Sequence, residues 1–333
     1  MMTITKLPGA TLLILALINV CVVNGVIESN STEDNMPRRF LECVDMIRTP
    51  GFWTFEQTEV ESEMCAVYLI ADPDEVIIVT ITDFEVDCLG GEFVEVFDGW
   101  LSGGQVMPSE YDHEKMMHER LAQACNDGES LQSLTMKTSQ NFALVQLWLE
   151  VGKRLTLKFD KVKTDSPCNA ISPSAYGQYI MRYAGNEMRN CTFSVFYPSR
   201  VTLSSLNIGV TADTQNERSI NSMSKVPNEG SLSQNENFDG YSMSHTDKDE
   251  GNTIDYELLK ENGNTLYDKL FVLSGSHMQF NDNLIATHHG PKQDNGCHVY
   301  NLTDNHSAVK MLSSGQHQNE VTITYSRLQI EFP

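Results

Sequence analysis

Residues 88–100 read CLGGEFVEVFDGW, and this stretch decides how the rest of the chain is interpreted. A cysteine and two glycines come first. Residues 93–97 are then rich in β-branched and aromatic side chains, as in a strand, and the Asp98-Gly99 pair indicates a turn. Residues 268–275, DKLFVLSG, repeat the pattern later in the chain. Because a cysteine pair of closely similar spacing precedes each copy, at 43/65 and at 168/191, the sequence predicts two copies of one β domain.

Other short runs rich in β-branched and aromatic residues lie at 76–82, 142–149, 193–197 and 321–326. The last run alternates cleanly, with Val321, Ile323 and Tyr325 on one face, as in a half-buried antiparallel strand. Only one short helix is predicted, within 114–124, and strands do not alternate with helices. We therefore expect an all-β chain of two antiparallel β-sandwich domains, at 37–163 and 168–333.

Composition excludes some classes of partner. The chain has 333 residues, with 45 acidic against 23 basic side chains and a net charge of −22. Nucleic-acid binding needs lysine and arginine to displace counterions from phosphates, so it is not expected. The same charge disfavours attachment to anionic membranes. Residues 211–264 are dominated by polar and acidic side chains and are predicted to be a disordered insertion in the second domain.

The N-terminus predicts secretion. Lys6 precedes an apolar run at 10–23 that is too short for a membrane span, so we interpret 1–25 as a signal peptide and 26–36 as an extension. No later stretch reaches the length of a membrane helix. N-glycosylation signals agree with an extracellular location, and Asn190 is the favoured site because it begins a predicted strand. The four acceptor patterns lie at Asn30, Asn190, Asn301 and Asn305.

Several patterns resemble catalytic or metal-binding motifs but fail on spacing. His113 and His118 are five residues apart, whereas a helical zinc site needs a spacing of four, so a solvated surface is expected there. His288-His289 with Cys297-His298 is the other metal candidate, and a polar loop before a disulfide-forming cysteine is the favoured alternative. No serine lies in a nucleophile elbow. The chain is expected to be no enzyme and to need no metal or cofactor.

Cysteines are the most informative residues. Cys21 leaves with the signal peptide, so seven of the eight remain, and an oxidising compartment favours disulfides. Spacing alone does not determine the connectivity, and the internal repeat selects the pairing. It predicts the disulfides Cys43–Cys65, Cys88–Cys125 and Cys168–Cys191 and leaves Cys297 unpaired.

The order of these motifs resembles a CUB domain and, more specifically, the corticotropin-releasing-factor-binding protein (CRF-binding protein) family. The resemblance runs from about 37 to 327 and is carried by 38–46, 88–100, 139–141, 167–172, 189–198, 289–291 and 311–317. It implies two CUB-like, jelly-roll-like sandwiches in a secreted glycoprotein. Such a protein captures a CRF-family peptide hormone, which would be CRF, a urocortin or an invertebrate CRF-like diuretic hormone, and limits receptor activation.

The family's peptide-binding arginine and aspartate match Arg39 and Asp45 here. An Arg–Asp pair within the chain is the structural alternative. The competing functional interpretation is an extracellular CUB adhesion module with a different protein ligand.

This chain departs from the family pattern at two kinds of position. Ile285 stands where the family has a cysteine, and the partner expected for Cys297 would lie near a C-terminus that this sequence lacks, so the sequence is either incomplete or leaves Cys297 free. Many CUB domains bind calcium through carboxylates. Glu92 and Gln140 occupy two of those positions here, and the loss of ionised oxygens predicts no calcium site.

Overall fold

The computed structural model describes residues 39–58, 64–102, 105–210, 260–261, 265–275 and 284–329. The predicted signal peptide, the extension with Asn30 and nearly all of the insertion at 211–264 lie outside these residues. Among the described residues, no helix has the length and apolar character needed to cross a membrane.

The described residues of the first half of the chain form fourteen strands and one short 3₁₀ helix. In chain order they are β1 (Arg39–Phe40), β2 (Val44–Ile47), β3 (Gly51–Glu56), β4 (Cys65–Ile70), β5 (Glu75–Thr82), β6 (Phe93–Phe97), β7 (Trp100–Ser102), β8 (Gln105–Met107), the 3₁₀ helix (Met117–Arg120), β9 (Leu121–Gln123), β10 (Cys125–Asn126), β11 (Glu129–Ser130), β12 (Leu134–Lys137), β13 (Phe142–Trp148) and β14 (Arg154–Lys163).

Two five-stranded sheets make up this first sandwich, in the orders β1-β3-β14-β5-β12 and β2-β4-β13-β6-β9. Their inner faces meet in one apolar core, because alternate residues of each strand are apolar and buried. Val67, Val96 and Val145 from one sheet join Ile77 and Leu157 from the other in that core. Most neighbouring strands are antiparallel, as predicted, but β1 pairs with β3 and β2 with β4 in parallel.

The second half forms strands β15 to β26. They are β15 (Ala170–Ile171), β16 (Tyr176–Tyr183), β17 (Arg189–Val195), β18 (Ser199–Val210), β19 (Lys260–Glu261), β20 (Thr265–Leu266), β21 (Lys269–Gly275), β22 (Leu284–His289), β23 (Lys292–Asp294), β24 (His298–Leu302), β25 (His306–Ser313) and β26 (Gln318–Arg327). The two main sheets have the orders β15-β17-β25-β21-β22 and β16-β26-β18-β23, and β24 also pairs with β18. A second apolar core lies between them. The predicted all-β fold of two sandwiches is confirmed.

The strand orders show that the second sandwich repeats the first. β15-β17-β25-β21-β22 corresponds strand by strand to β2-β4-β13-β6-β9, including the parallel pair at the edge. A buried carboxylate just before the fourth strand of each of these sheets is repeated as well. Glu92 before β6 accepts a hydrogen bond from the Glu150 backbone N–H at 2.7 Å, and Asp268 before β21 accepts one from the Ser314 N–H at 2.7 Å. Within the described residues, β1 has no counterpart in the second sandwich.

The structure contains the disulfides Cys43–Cys65, Cys88–Cys125 and Cys168–Cys191, which are the three pairs that the repeat selected. Cys297 is also disulfide-bonded, so the prediction that it is unpaired is wrong for this chain. No cysteine of the described residues is free.

The helix predicted within 114–124 is wrong. Only Met117–Arg120 form a 3₁₀ turn, and Leu121–Gln123 become strand β9, which pairs with β6. The backbone N–H of Ala124 donates to the Val94 carbonyl at 2.8 Å and continues this pairing. Sheet pairing outweighs helix propensity here, because a single short amphipathic turn gains little stability by itself.

The two sandwiches contact each other through a polar and apolar junction. The Asn169 side-chain amide of the second donates to the Asp112 carbonyl of the first at 2.7 Å, and Lys310 Nζ lies 2.7 Å from a carboxylate oxygen of Asp112. Trp100 stacks on Phe196 with ring centroids 6.4 Å apart. Ile171 is fully buried in an apolar cluster that belongs mainly to the first sandwich.

Candidate functional site

Arg39 and Asp45 lie on two edge strands at the same side of the first sandwich. β1 is the outermost strand of one sheet and β2 the outermost strand of the other, so residues 39–47 cross from sheet to sheet. Arg39 pairs with Trp53 and Asp45 with Val67, and both partners face the sandwich core. The two predicted side chains therefore lie on the inner faces of the edge strands, beside the gap between the sheets.

Arg39 is held by an aromatic ring. Its guanidinium carbon lies 5.1 Å from the centroid of the Trp53 ring, which is a cation–π geometry. The indole N–H of Trp53 is buried and has no hydrogen-bond partner in the described part of the chain. In the same part of the chain, Arg39 takes part in no salt bridge, so its positive charge is not neutralised by the protein there.

Asp45 caps the edge of β2. Its carboxylate oxygen Oδ1 accepts the backbone N–H of Met46 at 2.7 Å. The Cys43 carbonyl accepts the Ala66 N–H across the β2–β4 pair. Because alternate residues of an edge strand turn their N–H and C=O groups toward the neighbouring strand, the backbone groups of Met46 point away from β4. Among the described residues Asp45 has no salt-bridge partner either, so the alternative of an Arg39–Asp45 ion pair has no support in this structure.

The strands that carry these two charges also expose apolar side chains. Phe40 is 72% exposed, Val44 68% and Met46 48%. Val44 and Met46 share the outer face of their sheet with Ala66 and Tyr68 of β4. Edge strands are usually protected by charged side chains or short loops, so the exposed Phe40 on the outer face of one sheet, and Val44 and Met46 on the outer face of the other, mark edges that a partner can cover. The sequence analysis did not single them out.

Glu92 and Gln140, at the two positions compared with a calcium site, are not brought together. Glu92 lies before the first residue of β6 and pairs with Lys153 Nζ at 2.5 Å, while Gln140 donates to Asp98 beyond the last residue of β6 at 2.6 Å. The length of a five-residue strand separates them. Burial raises the pKa of Glu92, but the hydrogen bonds from Lys153 and from backbone N–H groups outweigh it and lower the pKa overall.

His113 itself is buried rather than solvated, whereas His118 is exposed as predicted. Asp98 is fully buried and accepts hydrogen bonds from Lys115 Nζ at 2.7 Å and the Ser139 N–H at 2.9 Å, and His113 Nε2 lies 3.6 Å away. Burial alone would raise the pKa of Asp98, yet these partners lower it to about 2. The expected solvated surface is therefore wrong for His113. His118 lies in the 3₁₀ turn, and the two imidazoles do not form a pair.

His288 and His298, the other metal candidates, lie in the second sandwich with their rings edge to face, 4.9 Å between centroids. Each already has another partner: His288 Nε2 lies 2.8 Å from the Tyr300 hydroxyl, and His298 Nε2 lies 2.9 Å from Asp294. Burial and the nearby Lys292 lower the pKa of His288 to about 4. These contacts make the pair part of the packing between β22 and β24.

The predicted glycosylation sites differ in exposure. Asn190, the favoured site, lies in β17 at the junction and is 7% exposed, with its amide 3.5 Å from the Tyr111 carbonyl. Asn301 and Asn305 are exposed, and the Asn301 side chain accepts a hydrogen bond from Arg200 at 2.9 Å. All four sites stay predictions.

The family model and the relatives that match this chain indicate the same family. A model described as "Corticotropin-releasing factor binding protein N-terminal domain" matches residues 35–163. The corticotropin-releasing factor-binding protein of Xenopus laevis is 30% identical over 309 residues, covering 92% of this chain and 82% of that protein. The proteins of the same name from Rattus norvegicus and Homo sapiens are each 31% identical, covering 91% and 88% of this chain and 80% and 77% of their own lengths.

Solved structures offer weaker similarity. The CUB1-EGF-CUB2 domains of rat MASP-1 align with 85% of this chain and 99% of that chain, at 9% identity and a TM-score of 0.24. A likeness at this level carries no weight for fold or function. The fold assignment depends on the sheets described above.

Proposed function

Because the chain belongs to the corticotropin-releasing-factor-binding protein family, we propose that it is a secreted, non-enzymatic protein that binds a CRF-family peptide hormone and limits activation of the hormone's receptor. The ligand would be CRF, a urocortin or an invertebrate CRF-like diuretic hormone. The relatives carry this binding activity in their names. The disulfides of both sandwiches support an extracellular location, since such bonds persist in oxidising compartments.

One observation carries the proposal: Arg39 and Asp45 lie on neighbouring edge strands with no charged partner in the described residues, beside exposed apolar side chains. A cation and an anion at the rim of an apolar surface are what an amphipathic peptide with charges of both signs needs for binding. The apolar contact supplies affinity when water is excluded, and the two charges orient the peptide.

Isothermal titration of the purified chain with synthetic CRF, a urocortin and an invertebrate CRF-like diuretic hormone tests the proposal directly. We expect saturable 1:1 binding of at least one of these peptides and none of a scrambled peptide of the same composition. A receptor reporter assay then tests the second part, since adding the chain should raise the peptide concentration needed for half-maximal activation. Absence of binding to every peptide of the panel would contradict the proposal and favour a CUB module with a different protein ligand.

A further inference from the structure

The internal repeat shows what covers the edge of one sandwich. β15 of the second sandwich corresponds to β2 of the first, and Ile171 corresponds to Met46, since each is the third residue after the first cysteine of its disulfide. Ile171 is 1% exposed because the first sandwich covers it. Its backbone faces outward, and both its N–H and its C=O bond to the side-chain amide of Asn141, each at 2.9 Å.

The same edge in the first sandwich is open. Met46 is 48% exposed and Val44 68% exposed, in positions where the second sandwich has the buried Ile171 and Asn169. Among the described residues, the outward N–H of Met46 donates only to the neighbouring Asp45 carboxylate. One repeat thus has an apolar residue and an outward peptide group covered by the other sandwich. The first repeat has exposed apolar residues at the same positions, and its outward N–H bonds to its own neighbour, Asp45.

Building on the function proposed above, we propose that the peptide ligand covers the β2 edge as the first sandwich covers the β15 edge. An apolar side chain of the peptide packs on Val44 and Met46. An amide of the peptide, either backbone or a side-chain carboxamide, donates to the outward Met46 carbonyl and to the second carboxylate oxygen of Asp45. This assigns Asp45 two roles, as cap of the β2 edge and as acceptor for the ligand.

A peptide fits this edge better than a second copy of the chain. β2 is four residues long. Asp45 lies between its two exposed apolar residues, Val44 and Met46, and Arg48 directly follows the strand. A stable protein dimer buries on the order of 1,200 Å² or more, which a four-residue edge does not offer alone. An extended or helical peptide segment needs only one anchoring apolar side chain and a few hydrogen bonds here.

The test compares two double variants of the full chain by isothermal titration with whichever synthetic peptide of the panel binds the wild type. Val44→Ala/Met46→Ala should weaken binding by roughly tenfold or more, since two partly exposed apolar side chains lose their contact with the ligand. The control, Leu89→Ala/Val299→Ala, removes two apolar residues that are more exposed, at 88% and 56%, from other surfaces and should bind as the wild type does. Matching melting temperatures for both variants would exclude loss of fold as the cause.

Two outcomes would overturn the inference separately from the proposed function. If the wild type binds a peptide and the Val44→Ala/Met46→Ala variant binds it equally well, the hormone-binding proposal stands and the β2 edge is not its site. If sedimentation velocity shows that the wild type self-associates, that this variant is a monomer and that peptide affinity is unchanged, a second copy covers the edge. If the wild type binds none of the peptides, the proposed function itself fails.

Discussion

Asn141 in the first sandwich and Ile171 in the second are joined by two hydrogen bonds of 2.9 Å, in which the side-chain amide accepts the Ile171 N–H and donates to the Ile171 carbonyl. One asparagine thus takes the place of a neighbouring strand at the edge of a sheet. Since Asn141 also donates to the Ala71 carbonyl at 2.9 Å, the contact is anchored in the first sandwich. The junction therefore joins the sandwiches by directional bonds as well as apolar packing.

Replacement of this asparagine is expected to loosen the junction. Asn141→Ala leaves the buried peptide group of Ile171 without its partner, which costs about 1–3 kcal/mol of unfolding free energy. Differential scanning calorimetry should show a lower melting temperature, and hydrogen exchange should increase at 170–172. Asn126→Ala, at an exposed position in β10, is the control and should change neither. Unaltered exchange at 170–172 would show that packing alone holds β15.

Loss of either edge charge is expected to weaken peptide binding without unfolding the chain. Arg39→Ala and Asp45→Ala should each weaken binding roughly tenfold, because a charge-assisted contact with the ligand is lost. Arg182→Ala and Asp160→Ala remove charges of the same sign from other exposed surfaces and should bind normally. Titration calorimetry at two salt concentrations measures the effect. Equal affinity of the wild type and both edge variants would remove Arg39 and Asp45 from the site.

Stability is expected to fall in acid through Asp98. Its folded-state pKa of about 2 lies below the ordinary value near 3.8, so the stabilisation is complete above pH 4 to 5 and is lost as the pH falls toward 2. The linked free energy is about 2 kcal/mol. Denaturant unfolding of the wild type and Asp98→Asn between pH 7 and pH 2 measures it. The variant should be less stable at pH 7 and show a shallower decline. Parallel curves would show that other carboxylates dominate.

Removal of the first disulfide is expected to affect stability and binding together. Cys43–Cys65 ties β2 to β4, so Cys43→Ala/Cys65→Ala should cost about 3 kcal/mol and also weaken peptide binding, since the edge strand loses its covalent anchor. Cys88→Ala/Cys125→Ala removes the disulfide that joins the loop before β6 to β10, away from β2, and should reduce stability by a similar amount. This second variant should retain its affinity, and equal losses of affinity in both variants would contradict a special role for β2.

Two glycines with positive φ provide a matched test of close packing. A Cβ at Gly315 would lie 2.5 Å from the Glu187 backbone, whereas a Cβ at Gly152 would meet nothing within 4 Å. Gly152→Ala is therefore expected to lower the free energy of unfolding by about 1–2 kcal/mol, which is the cost of a positive φ for alanine. Gly315→Ala should lower it distinctly more, because the added Cβ also clashes with the Glu187 backbone. Chemical denaturation compares the two. Equal costs would mean that the loop at 187 moves freely away from Gly315.

The strand at 93–97, the two-copy organisation and the three disulfides could be predicted, because each depends on local residue composition or on spacing along the chain. The helix at 114–124 could not be excluded from the sequence. Its apolar spacing fits a helix, and only pairing of β9 with β6 and burial of Arg120 decide against one. Arg120 donates to the carbonyls of Asp98 and Pro108, contacts that no sequence pattern indicates.

The candidate site also has features that could be predicted from the sequence and features that could not. Family resemblance selected Arg39 and Asp45, but it did not indicate that β1 and β2 lie at one side of the sandwich or that Val44 and Met46 are exposed there. The sequence by itself determined which residues alternate and which cysteines repeat, since these properties depend on neighbours along the chain. Only the tertiary structure decided that Ile171 is covered and Met46 is open, because the second sandwich follows the first and only one of two equivalent edges meets the other domain.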